Sequence, residues 1–161
     1  MYRPPSPLQK TIAVVRIATA IFFLLFGQYK IFGSSFAHGG MQQYVEGFVQ
    51  NSAVGFYAAF LQVIVLPHST FFGYLVGVIE FLIGISLLFG VWVQPASLVG
   101  ALHMLNLTLA TWWGPGHGQP VWRYFGAELD HLPMLFLFVI FYVSRAGETW
   151  GVDGYVRKPS S

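Results

Sequence analysis

Four mostly apolar stretches divide the chain. They cover residues 11–32, 71–93, 95–113 and 128–144. About 20 apolar residues in a helix cross the hydrocarbon core of a bilayer, so each stretch has roughly the length of a transmembrane helix. Pro95 lies in the first turn of the third stretch, where its missing N–H loses no hydrogen bond, and the Gly- and Pro-rich run 114–120 ends that stretch. The pattern predicts an all-α fold, a membrane bundle of four transmembrane helices.

The segment between the first two stretches has an amphipathic half and an apolar half. In residues 41–50, apolar side chains share one helical face and polar side chains the other, which is typical of a helix lying in the membrane interface. The apolar face consists of Met41, Tyr44, Val45, Phe48 and Val49, and the polar face of Gln42, Gln43, Glu46 and Gln50. Residues 53–66 are apolar but short for a span, and whether they dip into the membrane stays open.

Basic residues concentrate near the two ends of the chain. Five of the eight Lys and Arg residues are Arg3, Lys10, Arg145, Arg157 and Lys158. Cytoplasmic segments carry the excess of Lys and Arg, so both termini are expected in the cytoplasm, which requires an even number of crossings. We therefore expect four spans, with external loops at residues 33–70 and 114–127. The first span is expected to be retained, because Arg16 interrupts it and no small-residue cleavage site of a signal peptide follows.

Composition narrows the class of protein further. Apolar residues make up 55% of the 161 residues and charged residues only 9%, with a mean hydropathy of +0.62. So few charges exclude a soluble domain and a disordered chain, and a net charge of +2 is too small for a nucleic-acid partner. The chain has no cysteine, which excludes disulfides and thiolate metal sites. We expect a single membrane domain, residues 1–161, in contact with the lipid bilayer.

Arg16, Glu80 and His103 lie inside predicted spans, where an unpaired charge costs at least a few kcal/mol. In each of these helices the ionisable residue shares a face with small residues. The faces are Arg16, Ala20, Phe23, Gly27 and Lys30; Gly73, Gly77, Glu80 and Gly84; and Ala96, Gly100, His103, Leu107 and Ala110. Small residues mark the surface that packs against neighbouring helices. The ionisable side chains are therefore expected to point into the bundle.

Depth along the helices divides the polar residues into an inner and an outer group. In the inner group, Arg16 is expected to reach Glu80, with His103 beside the pair. The outer group consists of Lys30, Glu128, Asp130 and His131, at the outer ends of the first and last spans. A salt bridge from Lys30 to Glu128 or Asp130 is expected there.

Two interpretations of the inner group stay open. In the structural one, an ion pair fixes the register of the helices and His103 is a satisfied core residue. In the functional one, Glu80, His103 and Asn106 line a polar site that hydrogen-bonds a quinone headgroup or relays protons. His103 and Asn106 lie three residues apart on one helix, so both can donate into one cavity.

Metal and haem sites find less support. Glu128 and His131 form one Glu-x-x-His motif, whereas a di-iron bundle site needs two such motifs and two further glutamates. We therefore predict no metal site. His103 and His131 are expected at different depths, which argues against haem held by both. Haem or chlorophyll held by a single histidine is a less favoured alternative, and no intrinsic cofactor is expected.

Several short motifs resemble the DoxX-like membrane proteins. The first predicted helix contains the motifs Arg16-Ile17 and Gly27-Gln28-Tyr29-Lys30, and the second contains Gly77-Val78-Ile79-Glu80 and Leu87-Leu88-Phe89-Gly90. The polar third helix around His103 and the glycine-rich tail at residues 147–158 complete the resemblance. The resemblance implies a four-helix bundle in a bacterial or archaeal inner membrane. It also implies an association with redox systems, since some relatives are small subunits of a thiosulfate:quinone oxidoreductase or a terminal quinol oxidase.

The resemblance and the polar residues together predict an accessory subunit of a quinone-linked redox system, not catalytic on its own, with other membrane subunits as partners. The alternative is a non-catalytic structural subunit that packs against a larger respiratory or photosynthetic complex. An open cavity at Glu80 and His103 would favour the first, and a closed, fully paired cluster the second.

Overall fold

A computed structural model describes residues 4–51, 53–112 and 131–156. No strand occurs in these ranges, in agreement with the predicted all-α fold. The helices are α1 (Pro7–Phe32), α2 (Met41–Asn51), α3 (Gly55–Phe60), α4 (Ser69–Phe89), α5 (Val93–Ala110), α6 (His131–Val143) and α7 (Asp153–Val156).

Two helical stretches of the described chain are long and apolar enough to cross a membrane. One is α1, and the other is the 35-residue helical run Gly55–Phe89, which includes α4. They correspond to the first two predicted spans. The predicted third span is α5, and the described part of the fourth is α6, a shorter apolar helix. The predicted loop 114–127 and the start of the fourth span lie outside the described residues.

α1 begins four residues before the predicted span because of a capping box. The Ser6 side chain accepts a hydrogen bond from the Gln9 backbone, and the Gln9 side chain accepts one from the Ser6 backbone. These contacts satisfy N–H groups that the first turn of a helix leaves without partners. Pro7 follows in the first turn, where its fixed φ is already helical.

Residues 55–68, which the sequence analysis placed in the loop 33–70, are helical and lead directly into α4. A π-helical turn (Leu61–Val65) and a 3₁₀ turn (Leu66–His68) connect α3 to α4. In this run the Leu66 N–H donates to the Leu61 carbonyl, five residues back. The helical path therefore continues past Pro67, which lacks an N–H and would disrupt a regular α-helix.

α2 confirms the predicted helix at residues 41–50, but its apolar face packs against protein. Val45 is buried in a cluster with Tyr57, Leu61, Val65 and Ala110, and the Val54 N–H donates to the Leu109 carbonyl at 3.0 Å. The segment 53–65 is thus held against the end of α5. Partly buried side chains of α2 at this cluster are Met41, Phe48 and Val49, and the exposed polar ones are Gln42, Gln43 and Gln50.

α1 and α4 pack antiparallel along their glycine-bearing faces. A Cβ at Gly27 would come within 2.5 Å of the Phe81 backbone nitrogen, and one at Gly84 within 2.9 Å of the Leu24 backbone nitrogen. Glycine is therefore required for this approach of the two backbones. The predicted small-residue faces are confirmed as packing faces, and on the α1 side they leave no space between the helices.

α6 joins this helix pair to α5. Phe138, fully buried, packs edge-on against Phe23 of α1 at a centroid distance of 5.3 Å. The same ring fills the space above Gly100 of α5, where a Cβ would lie within 2.5 Å of its Cζ. One hydrophobic core therefore receives side chains from α1, α4, α5 and α6.

Replacing Gly27 with Ala is expected to destabilise the protein by about 1–3 kcal/mol, because the new methyl group overlaps the α4 backbone. The matched control is Gly47→Ala in α2, where nothing lies within 4 Å of the added Cβ. That change should be neutral or stabilising by up to about 1 kcal/mol. Thermal unfolding in mild detergent measures both, and equal effects would contradict the close packing of α1 on α4.

Candidate functional site in the helix bundle

Three helices bring Lys30, Glu80 and His103 into one hydrogen-bonded cluster. Lys30 Nζ of α1 lies 2.6 Å from Glu80 Oε1 and 2.7 Å from Oε2, so one ammonium contacts both carboxylate oxygens. His103 Nε2 of α5 lies 3.1 Å from Glu80 Oε1. An ionised carboxylate only accepts hydrogen bonds, so Nε2 carries the proton in this contact. The Lys30–Glu80–His103 cluster is the candidate site.

Local sequence explains how these side chains meet. Lys30 lies in the last turn of α1, where a cation interacts favourably with the helix dipole. Gly77 lies one turn before Glu80, and a Cβ at Gly77 would come within 2.9 Å of the Lys30 Cβ. The glycine therefore lets the lysine stem pass close to α4, and its ammonium reaches the carboxylate one turn further along.

The cluster is buried, and its members differ in exposure. The side chains of Glu80 and His103 are 6% and 5% exposed, whereas that of Lys30 is 17% exposed. The Lys30 ammonium also lies 5.2 Å from the centroid of the Phe36 ring, within cation–π range. Phe36 belongs to the segment Phe36–Gly40, where the helical path breaks and Gly39 has a φ of 115°. Lys30 is thus the member of the cluster closest to the surface.

The predicted ion pair between Arg16 and Glu80 is wrong. Arg16 and Lys30 lie 14 residues apart on α1, which is about 21 Å along the helix. Because α1 and α4 are antiparallel, residues 27–30 lie opposite Glu80, and Arg16 lies near the C-terminal end of α4. There its Nη2 donates to the Trp150 carbonyl at 3.3 Å.

Lys30 consequently belongs to the inner group, and its assignment to the outer group was wrong. Its predicted partners Glu128 and Asp130 lie outside the described residues. His131 begins α6 and is half-buried there.

Asn106 does not join the cluster through any described contact. Its side-chain oxygen accepts a hydrogen bond from the hydroxyl of Tyr57 in α3, which is buried. The contact fastens the segment 53–65 to α5. Tyr57 lies in an apolar run without periodic polar residues, so the sequence offered no signal for this role.

The arrangement of the His, Asp and Glu side chains bears on whether a metal ion or a haem could bind. Over residues 4–51, 53–112 and 131–156, no group of three or more His, Asp or Glu side chains is arranged to hold a metal ion. A haem or chlorophyll bound through His103 Nε2 would have to displace Glu80 from that nitrogen.

Comparison with known proteins adds the family. The DoxX family model matches residues 11–113, which include Arg16, Lys30, Glu80, His103 and Asn106. The chain belongs to the DoxX family. It is therefore a membrane protein of the DoxX type, in agreement with the resemblance drawn from its motifs. No curated protein and no solved structure matches it.

Double-mutant cycles test the revised pairing in this DoxX protein. Glu80→Leu should cost about 3–5 kcal/mol, because it leaves the Lys30 ammonium buried without its partner. Lys30→Met combined with Glu80→Leu should cost much less than the sum of the single changes. Arg16→Met with Glu80→Leu is the control cycle and should be additive. Coupling in the second cycle and not in the first would restore the Arg16–Glu80 pair.

Proposed function

We propose that this DoxX protein is an accessory subunit of a quinone-linked membrane redox system, and that the Lys30–Glu80–His103 cluster is its site for a quinone headgroup and for proton transfer. The observation that carries the proposal is a carboxylate held between an ammonium and an imidazole inside an apolar helix bundle. A buried ion pair is weak evidence for stability, since apolar residues often replace one without loss. Ionisable groups inside a membrane bundle mark ligand sites and proton paths by default.

The chemistry of the cluster suits a quinone. The headgroup has two carbonyl oxygens, which accept hydrogen bonds, and Lys30 provides N–H donors at the most exposed position. Reduction to the quinol takes two electrons and two protons. In this proposal the electrons come from the partner enzyme and both protons come from water. The Glu80 carboxylate, hydrogen-bonded to His103, takes up each proton in turn and passes it to the reduced headgroup.

An aromatic side chain, Phe36, lies against the Lys30 end of the cluster. Phe36 lies between Tyr29 and Tyr44, at centroid distances of 6.5 Å and 6.1 Å. The rings of Tyr29 and Tyr44, which are more than half exposed, can stack on a flat headgroup. The break in the helical path at His38 and Gly39 follows directly, so Phe36 sits on a segment that is not constrained by a continuous helix.

A structural subunit is the second candidate, and the closed, paired state of the Lys30–Glu80–His103 cluster favours it, as the sequence analysis expected of a closed cluster. Both oxygens of Glu80 already have partners, and the glycine contacts between α1 and α4 leave no room on that side. In this candidate the cluster fixes helix register. The exposed apolar side chains, such as Phe22 and Phe26 of α1, would then contact a larger membrane complex.

The topology that goes with either candidate has four spans, in a bacterial or archaeal inner membrane. The described residues of these spans are α1, the run that ends with α4, α5 and α6. Its support is the distribution of Lys and Arg, which places both termini in the cytoplasm. The packing is consistent with four spans, because α1, α4, α5 and α6 all contribute side chains to one hydrophobic core.

Reporter fusions test this topology. A fusion after Ser161 should report the cytoplasm, and a fusion at Gly116 should report the opposite side, because one predicted crossing lies between the two positions. Paired reporters that are active on opposite sides of the membrane measure both. The same side at both positions would refute the four-span arrangement.

Ligand-dependent stability tests the quinone site. A soluble quinone analogue at about 100 times its Kd should stabilise the wild type by about 2.7 kcal/mol, by mass action on the folded state. His103→Leu should lose most of the resulting Tm shift. His68→Leu is the matched control, since His68 is exposed and lies outside the cluster. Equal shifts in all three proteins, or none in the wild type, would favour the structural candidate.

A further inference from the structure

A second buried charge, Arg16, lies at the end of the bundle opposite Lys30, and the proposed function makes no use of it. Its residue exposure is 0%. It meets the segment that follows α6, residues 146–156, which we call the C-terminal strap. We propose that the C-terminal strap is a latch that closes over Arg16 and joins the ends of α1, α4 and α5, and that Asp153 holds it shut.

The backbone of the strap completes the C-terminal end of α4. The Val152 N–H donates to the Phe89 carbonyl at 3.1 Å, and the Asp153 N–H donates to the Gly90 carbonyl at 2.9 Å. The last carbonyls of a helix have no partner within the helix. The strap supplies two of the missing donors.

The side chain of Asp153 completes the start of α5. Its Oδ1 accepts from the Trp92 N–H at 2.8 Å, and its Oδ2 accepts from the Val93 N–H at 3.0 Å. Trp92 makes no cap of its own and adopts a left-handed conformation. Asp153, 60 residues further along the chain, thus accepts hydrogen bonds from N–H groups at the start of α5. A Ser, Thr, Asp or Asn at the N-cap position usually has this role.

Arg16 depends on the same segment. Nη2 donates to the Trp150 carbonyl, while Nε and Nη1 are buried without a hydrogen-bond partner among the described residues. Asp153, in the same strap, adds a negative charge that favours the guanidinium cation. A buried guanidinium needs such compensation, since nothing around it replaces its hydration.

Glycines give the strap its close fit. A Cβ at Gly90 would overlap Arg16 Nη1, and one at Gly151 would lie 2.7 Å from the same atom. A Cβ at Gly147 would overlap the Asp153 carboxylate. Because these glycines have no side chain, the backbone can pack closely against the Arg16 guanidinium and the Asp153 carboxylate. Opening of the strap would expose Arg16 and free the ends of α4 and α5 in one step, which is how a latch behaves.

A single cysteine in this cysteine-free chain reports whether the strap is closed. Thr149 lies in the strap and is only 9% exposed, so Thr149→Cys should react slowly with a water-soluble maleimide in the folded full-length protein. Adding Asp153→Asn should raise the labelling rate by about tenfold or more, because the open state becomes more populated. Adding Glu148→Gln is the matched control. Its carboxylate is 39% exposed and pairs with the exposed Arg145 at 3.7 Å, a solvent-screened contact, so the rate should change little.

A second reporter separates opening of the strap from loosening of the whole bundle. Val45 is buried in α2, at the end of the bundle that carries Lys30. Val45→Cys should label at the same rate with and without Asp153→Asn. Unchanged labelling of Thr149→Cys in the Asp153→Asn background, or an equal increase at both cysteines, would overturn the latch. Neither result depends on whether a quinone binds at Lys30.

Discussion

The buried contact between Lys30 and Glu80 is a constraint that the register of the long helices has to satisfy. A charge inside the bundle is costly without a partner, so the favoured register is the one in which Nζ meets both carboxylate oxygens. Gly77 makes the same register sterically accessible. His103 then ties α5 to the carboxylate. Electrostatics and packing therefore select one arrangement of α1, α4 and α5.

The two buried cations of α1 are compensated in different ways. Lys30 meets a carboxylate on the neighbouring helix and keeps 17% of its side chain exposed. Arg16 is fully enclosed and relies on the Trp150 carbonyl and the charge of Asp153. The partly exposed surroundings of Lys30 fit a ligand-binding site, and the closed surroundings of Arg16 fit a structural contact. One helix thus carries a candidate functional charge at one end and a structural charge at the other.

Family membership and the polar cluster support different parts of the interpretation. The DoxX match covers residues 11–113 and establishes a membrane protein of that type. It ends before the C-terminal strap, whose role rests on contacts alone. The proposal of a quinone site rests on the chemistry of Lys30, Glu80 and His103, which lie within that range. The proposed quinone site and the proposed latch involve different side chains, so each can be tested without the other.

The sequence by itself determined the helical class, the membrane character and the faces of the helices that pack. The length of the apolar stretches and the scarcity of charge are enough to predict membrane helices. The spacing of Gly27, Gly77 and Gly84 predicts which faces of the helices pack. The sequence also placed Glu80 and His103 in the interior. Only the tertiary structure decided which charges meet, because periodicity reports the face of a helix and not its offset along a neighbour. The offset of α1 along α4 places Lys30 beside Glu80. Arg16 instead contacts a segment more than 130 residues away in sequence.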